Sequence, residues 1–100
     1  MNNEYYNYKI LCKTLKYLRM KNKLTQNDVA LEVGIGASTV SSHENGRSIP
    51  EIYTIYAYCR VYKITMMEFF HMVSYTVDNG TPIVITSDIT KEAAIFSLDS

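Results

Sequence analysis

Gly34 separates two short segments whose residues favour helices, Thr25–Val33 and Ala37–Asn45. A glycine here can end the first segment in a left-handed backbone conformation without the steric cost of a Cβ atom. Ala30 is small enough to let two helices approach closely, and Val40 is a branched apolar residue that can fill the angle between them. This spacing predicts two helices that cross steeply through a tight turn. A generic helical hairpin satisfies the same spacing.

Two further helical signals lie at the start of this unit and in the segment before it. Thr25 and Asp28 have the spacing of a capping box, in which a hydroxyl and a carboxylate satisfy backbone amides at a helix start. The second helix is therefore expected to begin at Thr25 and to reach Val33. A first helix from about Tyr6 to Lys21 is predicted by apolar residues at the spacing of one buried helical face, namely Leu11, Leu15 and Leu18.

Three further signals follow the turn. The third helix is expected to end near Asn45-Gly46, a pair suited to a left-handed C-terminal cap. Ser48-Ile49-Pro50-Glu51 has capping-box spacing with a proline in the first turn, and it predicts the start of a fourth helix. Thr65-Met66-Met67-Glu68 predicts a fifth helix through His71. The buried face of the fourth helix is expected to contain Ile52, Ile55, Cys59 and Tyr62. The fold class is all-α with five helices.

The residue pattern changes after Val73 from helix-favouring to β-favouring. Tyr75-Thr76-Val77 and Ile83-Val84-Ile85-Thr86 are β-favouring runs on either side of Asp78-Asn79-Gly80, and they predict a small hairpin. Asp88 can cap a last helix whose apolar face contains Ile89, Ala93 and Phe96. We therefore divide the chain into a helical domain over residues 6–72 and an appendage over residues 73–100. The appendage is a candidate dimerisation or partner element, or it packs back on the five helices.

The net charge of the chain is zero, but the charges are unevenly distributed. Residues 1–72 contain nine Lys and Arg against six Asp and Glu, whereas the rest contains one Lys against four acidic residues, so the two parts carry +3 and −3. No stretch approaches the roughly 20 apolar residues of a spanning helix, and the polar start lacks the apolar region of a signal peptide. We expect a soluble cytoplasmic protein with no membrane partner. Cys12 and Cys59 are expected to be small buried apolar residues.

The motifs of the central segment resemble those of a known family. They are Leu24-Thr25-Gln26, Val29-Ala30, Val33-Gly34, Ser38-Thr39-Val40-Ser41, Glu44-Asn45-Gly46-Arg47 and Pro50, in order and without insertions. Over about residues 15–70 the chain is similar to the phage-repressor and Cro-like helix-turn-helix proteins, the Xre family. The resemblance implies a five-helix domain whose third helix enters the major groove of double-stranded DNA while the second crosses the backbone.

The expected groove-facing side of the third helix is small and uncharged. Residues at helical spacing opposite Val40, together with the start of the helix, give candidate base contacts at Gly36, Ala37, Ser38, Ser41 and Ser42. None of them is an Arg or Gln able to make bidentate contacts to guanine or adenine. Specificity is therefore expected to depend on DNA shape, on dimer spacing and on Asn45. Candidate phosphate contacts flank the helix on both sides at Gln26, Asn45, Arg47 and Ser48.

The resemblance also implies structural roles. Arg19 of the first helix and Glu44 of the third match family positions that form an internal ion pair. Gln26 matches a phosphate-contacting glutamine and could also brace the third helix. His43 occupies a position that is usually large and apolar, so we expect it to be packed rather than to act as a ligand.

Several functions compete for this sequence. No metal-ligand spacing, glycine-rich phosphate loop or motif nucleophile is present, so we expect neither an enzyme nor a bound cofactor. The favoured function is a DNA-binding transcription regulator, a repressor acting as a homodimer, because one small domain holds an operator too weakly alone. The alternative is an antitoxin-like or other protein-interaction module, which the tyrosines of the fourth helix favour. These are Tyr53, Tyr56, Tyr58 and Tyr62. Tyr58 and Tyr62 match apolar positions of the family and are expected in the core, whereas Tyr53 and Tyr56 are expected nearer the surface.

Overall fold

The computed structural model describes the backbone of residues 3–79 and the side chains of residues 8–76. The described part is a bundle of five helices: α1 (Asn3–Lys21), α2 (Gln26–Val33), α3 (Ala37–Asn45), α4 (Ile52–Val61) and α5 (Met66–Asn79). The predicted all-α, five-helix class is confirmed. The first helix begins three residues earlier than expected, whereas the limits of the second and third agree with the sequence patterns.

The helices enclose one apolar core. The α1 helix packs against α3 and α5, α2 packs against α3 and α4, and α4 packs against α5. Each helix therefore buries one face and leaves the other to solvent. The prediction that Ile52 belongs to the buried face of α4 is wrong, because Ile52 is 62% exposed in the first turn of the helix, whereas Ile55, Cys59 and Tyr62 are buried as expected. The largest fully buried side chains are Tyr58, Phe69, Leu15, Met72, Val29, Val40, Cys12 and Cys59.

Two helices begin with the predicted capping boxes. At α2 the Thr25 hydroxyl accepts from the Asp28 amide at 3.0 Å, and the Asp28 carboxylate accepts from the Thr25 amide at 2.9 Å. These hydrogen bonds lower the pKa of Asp28. At α5 the same reciprocal bonds join Thr65 and Glu68, at 2.8 and 2.9 Å. In both places a hydroxyl and a carboxylate satisfy amides that have no partner within the helix.

The predicted capping box at Ser48 and Glu51 is wrong. Glu51 is the N-cap of α4, it makes no side-chain capping bond, and the helix begins at Ile52, after Pro50 rather than around it. A proline disfavours helical backbone in the residue before it, which keeps Ile49 outside the helix. The Ser48 carbonyl instead accepts a hydrogen bond from the Tyr8 hydroxyl of α1.

The expected end of the fifth helix at His71 is also wrong, because α5 continues to Asn79. The first strand of the expected hairpin, Tyr75-Thr76-Val77, is therefore helical. Burial explains the difference, since Phe69, Met72, Val73 and Thr76 recur at helical spacing and are all buried. Packing of this face outweighs the local β preference.

The remaining predictions for the C-terminal part concern the second strand at Ile83–Thr86 and the helix after Asp88. Both lie outside the described residues. The α5 helix is continuous across positions 72 and 73, where we placed the domain boundary, and Val73 and Thr76 belong to the buried side of the bundle. The role of residues 73–100 as an appendage stays a prediction.

The contribution of the α2 cap can be measured by removing its hydroxyl. We expect Thr25→Ala to lower the free energy of unfolding by about 1 kcal/mol, because the Asp28 amide loses its acceptor. Ser48→Ala is the matched control, because Ser48 is exposed and α4 has no side-chain cap; its change should stay within about 0.5 kcal/mol. Denaturant unfolding of the full chain measures both, and equal losses would contradict the role given to Thr25.

Candidate nucleic-acid interface

The turn between α2 and α3 is built on Gly34. Its backbone is left-handed, with φ 87° and ψ 33°, and the amides of Gly34 and Ile35 both donate to the Ala30 carbonyl, at 2.8 and 3.1 Å. A Cβ added to Gly34 would meet nothing within 4 Å. The glycine is therefore required by its positive φ and not by lack of space. The turn fixes the direction in which α3 leaves α2.

The α3 helix has a buried side and a polar, more accessible side. Val40, His43 and Glu44 are buried against the core. The five candidate base contacts lie elsewhere on the helix and its N-cap: Gly36 and Ser38 are exposed, and Ala37, Ser41 and Ser42 are half-buried. Gly36 makes no side-chain capping bond. The accessible side of α3 thus combines small side chains with an uncapped helix start.

An ion pair joins α3 to α1. The Arg19 Nε donates to Glu44 Oε2 at 2.7 Å, and a terminal guanidinium nitrogen donates to Glu44 Oε1 at 3.1 Å. The remaining terminal nitrogen donates to the Leu24 carbonyl at 2.9 Å, in the turn before α2. The Glu44 side chain is 1% exposed and that of Arg19 is 14% exposed. The structure thus brings together the two residues to which the resemblance gave a structural pairing.

Gln26 joins this cluster from the start of α2. Its Nε2 donates to Glu44 Oε1 at 3.2 Å, so the carboxamide is held against the last turn of α3. The Glu44 carboxylate therefore accepts hydrogen bonds from two helices and is well satisfied despite its burial. This contact corresponds to the bracing of the third helix that the sequence suggested for Gln26. Its role as a phosphate contact stays a prediction.

The other candidate phosphate contacts surround the C-terminal end of α3. Gly46 caps the helix in a left-handed conformation, with φ 77°, and the Arg47 amide donates to the Ser42 carbonyl at 2.9 Å. Asn45, Arg47 and Ser48 are exposed, and the Asn45 side chain donates to the Ser41 hydroxyl at 3.2 Å. Asn45 is therefore directed along α3 towards the serines by a local contact.

His43 faces the interior, on the α4 side of α3. Its Nδ1 lies 2.7 Å from the Tyr58 hydroxyl, and the two rings meet edge to face with centroids 5.7 Å apart. Burial lowers the pKa of His43, and burial also raises the pKa of Tyr58. The Tyr58 ring stacks on Tyr62, whose hydroxyl is the one buried side-chain polar atom without a hydrogen-bond partner in the described part of the chain. His43 is packed, in agreement with the expectation from the sequence.

Sequence reasoning missed the hydroxyl contacts of this region. Tyr58 and Tyr62 were expected as apolar core residues, and the contact from the Tyr58 hydroxyl to His43 was not foreseen. The signal available was a histidine at a usually apolar position together with buried tyrosines on the next helix. The expectation for the cysteines is confirmed, since Cys12 and Cys59 are both buried thiols. Burial raises the pKa of Cys59 to about 11.

Comparison with known families places the chain in a class. A family model described as helix-turn-helix matches residues 15–69, more than half of the 100 residues. The chain therefore belongs to this helix-turn-helix family, of the phage-repressor and Cro-like type, whose members are DNA-binding transcription regulators. Neither the curated proteins nor the solved structures gave a match.

Two other features are absent from residues 3–79, a membrane-spanning helix and a metal-binding cluster. No helix in this range combines the length and the apolar character needed to cross a membrane. Over the same range, no group of three or more His, Cys, Asp or Glu side chains is placed to hold a metal ion.

Replacing Arg19 tests whether the ion pair with Glu44 stabilises the packing of α3 against α1. We expect Arg19→Met to lower the free energy of unfolding by about 3–5 kcal/mol, because the Glu44 carboxylate keeps its charge in a buried position. Lys16→Met, an exposed cation on the same helix, is the control and should change it by less than about 0.5 kcal/mol. Arg19→Met combined with Glu44→Met should recover part of the loss. A loss as small as that of Lys16→Met would contradict the structural role of the pair.

The buried histidine predicts a dependence of stability on pH. The pKa of His43 is lowered from its ordinary value of 6.5, so the unfolded chain binds a proton more readily than the folded chain. The contribution of His43 to the free energy of unfolding should therefore be fully present above about pH 6.5 and be lost progressively as the pH is lowered below it. In His43→Gln, which retains His71, this part of the dependence should disappear. Identical pH profiles for the two proteins between about pH 5 and pH 7 would contradict a buried, neutral His43.

Proposed function

We propose that this protein is a transcriptional repressor that binds a two-fold symmetric DNA site as a homodimer and places α3 in the major groove. The observation that carries the proposal is the division of α3 into two sides. Glu44 and Val40 fasten one side to the core, while Ser38 and its neighbours leave a small polar surface on the other. A helix held this rigidly, with no bulky side chain on its accessible side, can approach base edges closely.

The surrounding charges support the same orientation. Arg47 and Ser48 lie directly after α3, and the exposed Lys21 and Lys23 lie before α2. Cationic and hydroxyl groups on both sides of a reading helix can bind the phosphates that border the groove. Gln26 is held at the start of α2 by Glu44 and retains a second amide hydrogen for a phosphate oxygen. These contacts would set the register of α3 on the duplex.

Base recognition is expected to be permissive. Serine hydroxyls donate or accept, and the Ala37 methyl can touch a thymine methyl, but none of the candidate base contacts forms a bidentate pair. Specificity would then come from the deformability of the site and from the fixed spacing between two copies of α3. Repression requires only that the site be occupied, for which a DNA-binding domain suffices.

A second candidate function has one observation in its favour. Tyr53 and Tyr56 on α4 are exposed, and aromatic residues are enriched at protein interfaces. An antitoxin-like protein would use such residues to bind another protein while still binding DNA. This candidate predicts that a heterologous protein is the tighter ligand.

The groove-facing side of α3 can be tested with one added charge. We expect Ser38→Glu to weaken binding to a selected DNA site by about a hundredfold, because a carboxylate would face phosphates and base acceptors. A carboxylate near a helix N-terminus favours the helix, so this loss would not come from unfolding. Ser74→Glu, an exposed serine of α5, is the matched control and should stay within about threefold of the unmodified chain.

The DNA site would be obtained by enrichment from a random duplex library, and a reporter with that site across its promoter would measure repression. Unchanged DNA binding by Ser38→Glu would contradict the placement of α3 in the major groove. Failure to enrich any sequence would reject the specific regulator.

A further inference from the structure

Four large apolar side chains are exposed within eight consecutive residues. They form what we call the α4 patch, which consists of Ile49, Ile52, Tyr53 and Tyr56, each between 51% and 71% exposed. The last three are separated by one, three and four positions on α4 and so share one side of the helix. An adjacent side of α4 contributes Ile55, Tyr58 and Cys59 to the core. The apolar surface of the helix is therefore wider than its own fold requires.

The size of the α4 patch is informative. A fully buried aromatic side chain hides about 150–250 Å², so these four partly exposed side chains present on the order of 500 Å². The largest apolar patch on a monomeric protein is about 300–600 Å² and is often functional. Two such patches placed face to face would bury on the order of 1,000 Å², the size of a weak but specific interface.

We propose that the α4 patch is the surface on which a second copy of this chain docks through a two-fold axis. A two-fold interface uses the same patch on both copies, so a single apolar surface is sufficient. The charges beside the patch suit this arrangement, because Arg47 and Arg60 accompany Glu51, all exposed. A two-fold axis can place Glu51 of one copy opposite an arginine of the other, so the surface is complementary to itself.

The position of the patch gives a second argument, which rests on the proposed function. Ile49 directly follows Arg47 and Ser48, the predicted phosphate contacts at the end of α3. Copies joined there would lie side by side along the surface that faces DNA, with their α3 helices set at one fixed distance. Helix-turn-helix dimers bind half-sites about 34–36 Å apart, one turn of the duplex. The DNA would then complete an interface that is weak in solution.

The α4 patch already makes contacts that order its polar edge. Glu51 forms a hydrogen bond with the Tyr53 hydroxyl, which raises the pKa of that tyrosine, and the Arg60 guanidinium lies 6.0 Å from the centroid of the Tyr56 ring. Both tyrosines therefore have a charged neighbour at the rim and an exposed ring towards solvent. An apolar centre with a polar rim is the usual composition of a protein interface.

The experiment compares two charge-neutral double variants of the full chain. The patch variant is Ile52→Gln with Tyr53→Gln. The control variant is Leu31→Gln with Met20→Gln, which removes two apolar side chains that are 84% and 60% exposed on α2 and α1. Glutamine suits exposed helical positions and leaves the net charge unchanged, so both variants should keep the thermal stability of the unmodified chain.

Sedimentation equilibrium measures self-association, and titration of duplexes with one or two half-sites measures cooperativity. We expect the unmodified chain and the control variant to dimerise alike. The patch variant should have a dimer dissociation constant at least about tenfold higher, or about 1.4 kcal/mol. It should also lose cooperative binding to two half-sites while binding one half-site as before. On dilution of the unmodified chain, amide chemical shifts should change at residues 49–56.

Two results would overturn the α4 patch as the dimer surface. One is a patch variant that dimerises as well as the control variant, which would move the interface elsewhere, the C-terminal appendage included. The other is an unmodified chain that stays monomeric both in solution and on a duplex with two half-sites. Loss of dimerisation in the patch variant, with no DNA binding by any of the three proteins, would support the patch and reject the proposed function.

Discussion

The Arg19 and Glu44 ion pair is the interaction on which the arrangement of the first three helices depends. One guanidinium group binds a carboxylate of α3 and the carbonyl that precedes α2, and the same carboxylate holds Gln26 of α2. Apolar packing alone leaves helices free to slide over one another by small amounts, whereas paired hydrogen bonds with fixed geometry do not. The position of the accessible serines of α3 therefore depends on the cluster of Arg19, Glu44 and Gln26, which holds the opposite side of that helix.

Much of the fold could be predicted from the sequence because its signals are local. The Thr25 box, the turn at Gly34 and the Thr65 box each depend on two or three neighbouring residues, and the structure contains all of them. The bends after α1 and α4 could not be predicted in detail. There the left-handed residues are Lys23 and Lys63, with φ near 58° and 59°, and no glycine marks them. In both bends the residue after the lysine closes the preceding helix: the Leu24 amide donates to the Arg19 carbonyl at 3.1 Å, and the Ile64 amide donates to the Cys59 carbonyl at 3.0 Å.

The two errors in the helix limits have different physical causes. Ser48 has the spacing of a capping residue, but Pro50 disfavours helical backbone at Ile49, and Glu51, the N-cap of α4, is itself extended. Tyr75 and its neighbours have β-favouring side chains, but burial of Thr76 next to Met72 continues the helix, and the Thr76 hydroxyl donates to the Met72 carbonyl one turn earlier. Local preference amounts to fractions of a kcal/mol per residue, so tertiary context can reverse it. The limits of α3 were predicted correctly because Gly34 and Gly46 mark the helix ends on either side of it.

The contact between His43 and Tyr58 has a consequence for how such a protein could change its DNA target. Tyr58 lies on the core side of α4, and the residues proposed to meet a second copy lie on an exposed side of the same helix, so α4 connects the two surfaces. Exchanging serines on α3 can alter which bases are preferred. If two copies meet through α4 as proposed, the distance between half-sites would depend on the position of α4 in the bundle, which core contacts such as that between His43 and Tyr58 help to set. Sequence preference and half-site spacing would then evolve independently, one on the surface and the other in the interior.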